Sequence, residues 1–324
     1  MTHIIRHVRR INTLIWGLVV IGSMVTAQLC IGATYYVATN GSDADHGTEG
    51  QPFRTISHAV SVLNPGDTLY VKKGTYTGSS QLLRIPSGSS WSAPVTIAAY
   101  AGDQPIIIPE PGSSALTVVG NQYIVIDGFI IDGAGGSDGV SITDHAHHIR
   151  IKNSEIKNAR GSGVSTGGDD NEFINLRVHD NGTSDFDHGF YIYSSNNLIE
   201  DCEIYNNAGW GVHIYSSSKG TVNHNIVSNN QIHNNARAGG RGPGIILSSG
   251  TGNTAYNNVI WENNGGIQID FQASDTYVHD NTLYDNSSFG IYVGKESTDA
   301  IVENNSIDNS PAIYNYGVGT TIIP

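Results

Sequence analysis

Three side chains that can carry a proton, Tyr191, His213 and Tyr215, stand on outward positions of one recurring pattern, the first two in equivalent places and Tyr215 two residues beyond His213. The pattern is a glycine followed by apolar, variable and apolar residues, as in Gly189-Phe190-Tyr191-Ile192 and Gly211-Val212-His213-Ile214. If successive copies stack, the phenol of Tyr191 lies beside the imidazole of His213. An imidazole can take a proton, a phenol can return one to a departing oxygen, and a guanidinium can hold a carboxylate through two parallel hydrogen bonds. On this reading His213 is the base, Tyr191 or Tyr215 the acid, and Arg241 or Arg237 the carboxylate clamp.

The elements that must position these groups follow from the recurrence itself. The same opening stands at Gly139, Gly163, Gly189, Gly211, Gly244, Gly266 and Gly290, and between successive openings lie short apolar runs separated by polar turns. Self-similarity at this period, with three short strands per repeat, predicts an all-β fold, a parallel β-helix, right-handed by the crossover rule. Aligned coils give columns. The column Val140, Val164, Phe190, Val212, Ile245, Ile267, Ile291 reads as core, and Ser154, Leu176, Cys202, Asn230, Asn258, Asn281, Asn305 as an inward column ending in an asparagine ladder. Cys202 is therefore expected to be a buried thiol.

The outward positions are Ser141, Ser165, Tyr191, His213, Ile246, Gln268, Tyr292 and, two residues on, Thr143, Gly167, Tyr193, Tyr215, Ser248, Asp270, Gly294. Neighbouring rungs lie about 4.8 Å apart, so the middle rungs bring aromatic rings, an imidazole, Gln268 and Asp270 onto one face. The turns feeding them add Asp187, His188 and Trp210, and one oversized coil adds Arg237 and Arg241. A second outward column, His179, Tyr205, His233, Trp261, Tyr284, is expected to stack without forming a groove.

Residues 1–33 read as a secretory signal: Arg6, Arg9 and Arg10 precede the apolar run 11–25, and Ala27 or Ala33 ends the segment. The single domain is then 34–324, with a capping segment 34–76, irregular coils 77–138 and regular coils 139–324. Net charge is −13, from 16 basic and 29 acidic residues, and it becomes more negative without those arginines. A strongly acidic chain is a poor partner for nucleic acid. Charged residues make up only 14% of the chain, below the roughly 25% of an average soluble protein, as suits a fold built largely of turns. Cys30 and Cys202 are the two cysteines, and the first lies in the leader, so no disulfide framework is expected.

The segment 52–63 is the one convincing helix, with Ile56, Ala59, Val60 and Leu63 on one face and Asn64-Pro65-Gly66 as its stop. It is expected to cover the first rung. The stretches Tyr35-Tyr36-Val37, Asn40-Gly41-Ser42-Asp43, Pro52-Phe53, Pro65-Gly66-Asp67-Thr68, Gly74-Thr75-Tyr76 and Ala93-Pro94-Val95-Thr96-Ile97 resemble secreted bacterial right-handed parallel β-helix proteins of the pectin-lyase-like superfamily. The resemblance covers roughly 35–315 and implies an extracellular polysaccharide as partner, handled by a secreted monomer with no membrane attachment after signal removal.

Relatives of this kind include polysaccharide lyases and uronan C5-epimerases, so the resemblance implies eliminative cleavage or C5 epimerisation. Tyr193, Trp210 and Tyr292 would stack on sugar faces, and Asp187, His188, Arg237, Gln268 and Asp270 would complete substrate binding. Two alternatives stay open: a glycoside hydrolase on the same fold, and a carbohydrate-binding protein of the cell envelope without catalysis. Gly168-Asp169-Asp170 and Arg150-Ile151-Lys152 look like hydrolase motifs but fall on the wrong strands. No cofactor or metal site is assigned. Calcium is the ion an acidic protein would use to hold an acidic glycan, and Asp43, Asp45 and Glu49 read as a solvated turn.

Overall fold

A computed structural model describes residues 32–78, 84–217, 221–240 and 242–324. The predicted leader, with Cys30, lies outside the described residues apart from its last two positions. Every paired strand runs parallel to its neighbour, and the strands fall into three sheets of 12, 10 and 9. One coil shows the plan. Phe190–Ile192 belongs to the third sheet, Leu198–Glu200 to the first, Glu203–Tyr205 to the second, and Val212–Ile214 returns to the third. Inward positions of all three strands, such as Phe190, Ile199, Ile204 and Val212, are essentially inaccessible and form one continuous core. Alternation at period two is what makes three-residue strands sufficient.

The corners repeat a two-residue device. The first residue takes a left-handed backbone, as in Asp180, Asn206, Asn234 and Asp285 (φ 52° to 56°), a conformation that asparagine and aspartate adopt more readily than other side chains. The second turns inward as asparagine. The expected ladder exists: Asn230, Asn258, Asn281 and Asn305 each accept the main-chain N–H of the rung before. Two further ladders accompany it, Asn171–Asn197–Asn225–Asn253 and Asn181–Asn207–Asn235–Asn263–Asn286. They occupy the other two corners, so all three edges of the solenoid are pinned from inside.

Cys202 continues the expected ladder above Asn230, its thiol accepting the N–H of Leu176 at 3.4 Å. It is 2% exposed, and burial pushes its pKa up to about 12. The thiolate is the reactive form. Native protein is therefore expected to leave an aromatic disulfide reagent unconsumed at pH 8, and to consume one equivalent at this position once unfolded in urea. Fast labelling of the native state would contradict the ladder position.

The helix is shorter than its pattern predicts, Ile56–Ser61, because Thr55 caps it by accepting the His58 N–H. Ile56, Ala59 and Val60 are buried. Asp43 accepts the main-chain N–H groups of Arg54 and Thr55, both at 2.9 Å, so that carboxylate is used in fixing the helix start. The second outward column does stack: His179, Tyr205, His233, Trp261 and Tyr284 lie nearly parallel, 4.2 to 5.8 Å apart. Each ring covers its neighbour's face, so the column offers edges to solvent and no platform for a flat ligand.

Candidate functional site

The third sheet carries the expected face. Tyr191 pairs in register with His213, and their ring centroids are 5.3 Å apart. Ile246 and Gln268 follow on the next two rungs, and Tyr292 after them. What the strands alone do not reveal is the column just before them. There, Asp138 accepts the main-chain N–H of Ser162 at 2.9 Å, and Ser162 Oγ accepts that of His188 at 3.0 Å. His188 Nδ1 then accepts that of Trp210 at 3.2 Å. Each side chain thus holds the rung that follows it.

This column delivers His188 into the site edge-on and Trp210 over it. The indole lies parallel to the His188 ring (4.6 Å, 4°) and perpendicular to His213 (3.9 Å, 84°). His188 Nε2 is 3.0 Å from His213 Nδ1. His188 is 2% exposed and His213 7%. Burial lowers the pKa of His188 to about 4, and burial together with the neighbouring His188 holds His213 well below the usual imidazole range. Both rings are neutral at physiological pH. Burial, with Tyr215 and Tyr193 nearby, raises the pKa of Tyr191, which keeps its proton.

Two clefts open on this face. One, of about 390 Å³, is lined by Phe186, His188, Tyr191, Trp210, His213, Tyr215 and Phe271. The other, of about 440 Å³, is lined by Trp210, Ile246, Gln268, Phe271, Phe289 and Tyr292, with Asn264 and Ser288. Trp210 and Phe271 belong to both, so they form the ridge between adjoining compartments. Among the described residues, no side chain lining either cleft is charged. None of the described residues forms a group of three or more His, Cys, Asp or Glu placed to hold a metal ion.

The expected residues divide accordingly. Tyr191, His213, Tyr215, His188 and Trp210 line the first cleft, Gln268 and Tyr292 the second. Tyr193 is 37% exposed and packs beside Tyr191 at 5.3 Å. Asp270 lies at the margin, accepting from Gln268 Nε2 and the Phe271 N–H, both at 2.9 Å. Arg241 lies outside the described residues.

Two residues are engaged elsewhere. Asp187 Oδ2 accepts from the main-chain N–H groups of Thr183 and Ser184 and from the Ser184 hydroxyl, so this carboxylate closes its own turn. Arg237 spreads its guanidinium over the carbonyls of Asn206, Asn181 and Gly182. It braces the corner of three rungs and lines neither cleft. Of the motif-like segments, Arg150 forms a bidentate pair with Glu172, and Asp169 accepts the Ser195 N–H.

Phe271, Phe186 and Phe289, with Asn264 and Ser288, are lining residues that the column pattern does not select. Phe271 follows the strand Gly265–Asp270 in a left-handed conformation (φ 48°), which lifts its ring out of the sheet. It is 48% exposed, and Phe186 is 77% exposed. Large exposed aromatics at the rim of a concavity mark a binding surface.

Comparison with known proteins agrees with the architecture. Residues 35–187 match the family described as Pel9A-like, right handed beta helix region, and residues 184–323 match the right handed beta helix region family. Pectate lyase L of Dickeya dadantii is 23% identical over 344 residues, covering 90% of this chain and 78% of that protein. Pectate lyase PEL9 of Emericella nidulans is 39% identical over 87 residues, 26% of this chain and 21% of that protein. The chain spans less than a third of the length of two of the curated relatives it matches. Among solved structures, an alginate lyase from Paenibacillus superposes with a TM-score of 0.65 at 20% identity, over 83% of this chain and 94% of that one. With three parallel sheets, a shared core and two helix-family matches that together run from 35 to 323, the chain is a right-handed parallel β-helix protein of the pectin-lyase-like superfamily.

Proposed function

We propose that this protein acts on an extracellular polysaccharide, and that the glycan lies along the third sheet across the two clefts between Tyr191 and Tyr292. The observation that carries the reading is the pairing of Tyr191 with His213 inside a cleft walled by Trp210, Tyr215 and Phe271. Aromatic faces suit the apolar faces of pyranose rings, and titratable groups at the bottom of such a cleft are the expected place for chemistry.

The reaction is eliminative cleavage, or C5 epimerisation, of a uronate polymer, the class that the names of the lyase relatives suggest. Both reactions remove the C5 proton and stabilise the charge that develops on the carboxylate. Tyr191, whose proton is held in place by burial, serves as the acid toward the departing oxygen. His213 contributes a neutral imidazole against the sugar, and Tyr215 stands beside it in the cleft, ring centroids 5.3 Å apart. The carboxylate clamp is assigned to Arg241. The protein is secreted, its leader removed before the first rung.

Hydrolysis is less well supported, because it needs two free carboxyl groups about 5 to 9.5 Å apart, and Asp187 is committed to its turn. The test is a panel of polygalacturonate, alginate and neutral glycans, followed by absorbance near 232 nm, reducing ends and proton NMR. Elimination gives an unsaturated product absorbing near 232 nm, and epimerisation alters the C5 stereochemistry without it. Reducing ends without absorbance would replace elimination by hydrolysis. Binding with no product would leave a glycan-binding protein.

A further inference from the structure

The hydrogen bonds around His188 specify where two protons sit. The main-chain amide of Trp210 has only a proton to offer, so His188 Nδ1, 3.2 Å away, accepts it. A neutral imidazole carries its proton on the other nitrogen. His188 Nε2 therefore donates to His213 Nδ1 at 3.0 Å. His213 Nδ1 is occupied as an acceptor, and its own proton resides on Nε2.

The surroundings make this arrangement rigid. Trp210 lies flat on the His188 ring, and the His188 main chain is tied to Ser162 and through it to Asp138. Gly209 closes the other side: a side-chain carbon there would lie 2.5 Å from His188 Nδ1. His188 itself is 2% exposed and both its ring nitrogens are already bonded, so it acts on a ligand through His213. The groups facing the pair are Asp187 beside His188, the phenols Tyr191 and Tyr215 beside His213, and the indole of Trp210.

We infer that His188 is a positioning residue that fixes His213 as an Nε2–H donor, directed to a hydroxyl or carboxylate oxygen of a bound pyranoside. The base role expected of His213 from its residue type is thereby replaced. A nitrogen that already bears a proton gives a hydrogen bond and takes none, and the bare nitrogen is already occupied by His188. The identity of the ligand rests on the proposed glycan reading; the position of the proton does not.

Long-range 1H–15N correlation spectra of the 15N-labelled protein test this directly. The expected spectrum has a protonated His213 Nε2 and a bare Nδ1, unchanged between about pH 5.5 and 8. A proton on Nδ1, or a ring that titrates within that window, overturns the inference. His188→Leu is expected to release the tautomer to an averaged state. It should also lower kcat by about 100-fold, with little change in KM, on whichever panel glycan is turned over. His188→Gln, whose amide can accept from Trp210 and donate to His213, is expected to restore the Nε2–H form and most of the rate. A fixed tautomer in the leucine variant, or a glutamine variant no better than leucine, contradicts the assignment. The wild-type spectrum decides the matter even if neither variant folds. A silent glycan panel with the expected spectrum removes the proposed function and leaves the proton assignment standing.

Discussion

Asn207→Leu is expected to lower the free energy of unfolding of its coils by about 4 kcal/mol, although leucine has nearly the same size and the site is fully buried. Asn207 Oδ1 accepts both the main-chain N–H of Asn181 (3.2 Å) and its side-chain amide (3.0 Å). Its own amide donates to the Val178 carbonyl at 3.0 Å and to Asn235 Oδ1 at 2.9 Å. Leucine offers none of these bonds, and each buried group left short of a partner costs roughly 1 to 3 kcal/mol. The added apolar burial offsets only part of that. Urea unfolding should show an earlier transition, and hydrogen exchange should show the loss concentrated in the coils between about 178 and 235, because each rung touches only its neighbours. A loss below about 1 kcal/mol would mean that the ladders are incidental to stability.

Tyr191→Phe is the second large effect, this time on catalysis. The substitution keeps the ring and its contacts with His213, Tyr193 and His188, and removes one hydroxyl. If that hydroxyl protonates the leaving oxygen, kcat falls by about 100-fold to 1,000-fold while KM changes little. The sign of the Tyr191 shift matters here. A raised pKa keeps the proton on the phenol through the neutral range, so the donor form is present wherever the enzyme works at ordinary pH. With both imidazoles neutral, the rate should also lack an inflection between about pH 5 and 8. Such an inflection would return an imidazole to the role of base.

The period of the glycines made the solenoid legible before any coordinates, because a stacked repeat must return the same side chain to the same face at each turn. That argument placed Tyr191 beside His213, buried Cys202 and set the second aromatic column outside. It found one asparagine ladder of three. The other two were written in the same alphabet, as Asn-Asn and Asp-Asn pairs such as Asn206-Asn207 and Asp285-Asn286, where one residue supplies a left-handed corner and the next an inward amide.

The rest was hidden for a different reason. Residue type says what a side chain can bond, and only geometry says what it already bonds. Asp187 and Arg237 carry charges that a substrate site could use, yet Asp187 is consumed by its own turn and Arg237 by carbonyls of neighbouring rungs. His188 reads as a substrate-binding residue of the turn before a strand, yet it lies beneath Trp210. Phe271 escaped because it follows its strand, outside the alternating pattern, and reaches the clefts through a left-handed backbone.

On the proposed function, the glycan is held and transformed where Trp210 and Phe271 separate the two clefts. The most direct measurement compares wild type, Tyr191→Phe and Trp210→Ala on polygalacturonate and alginate by absorbance near 232 nm. The expected result is product from the wild type on at least one polymer, a loss confined to kcat in Tyr191→Phe, and a KM raised about ten-fold or more in Trp210→Ala. Wild-type rates in both variants would contradict it, because the chemistry would then lie on another face of the solenoid.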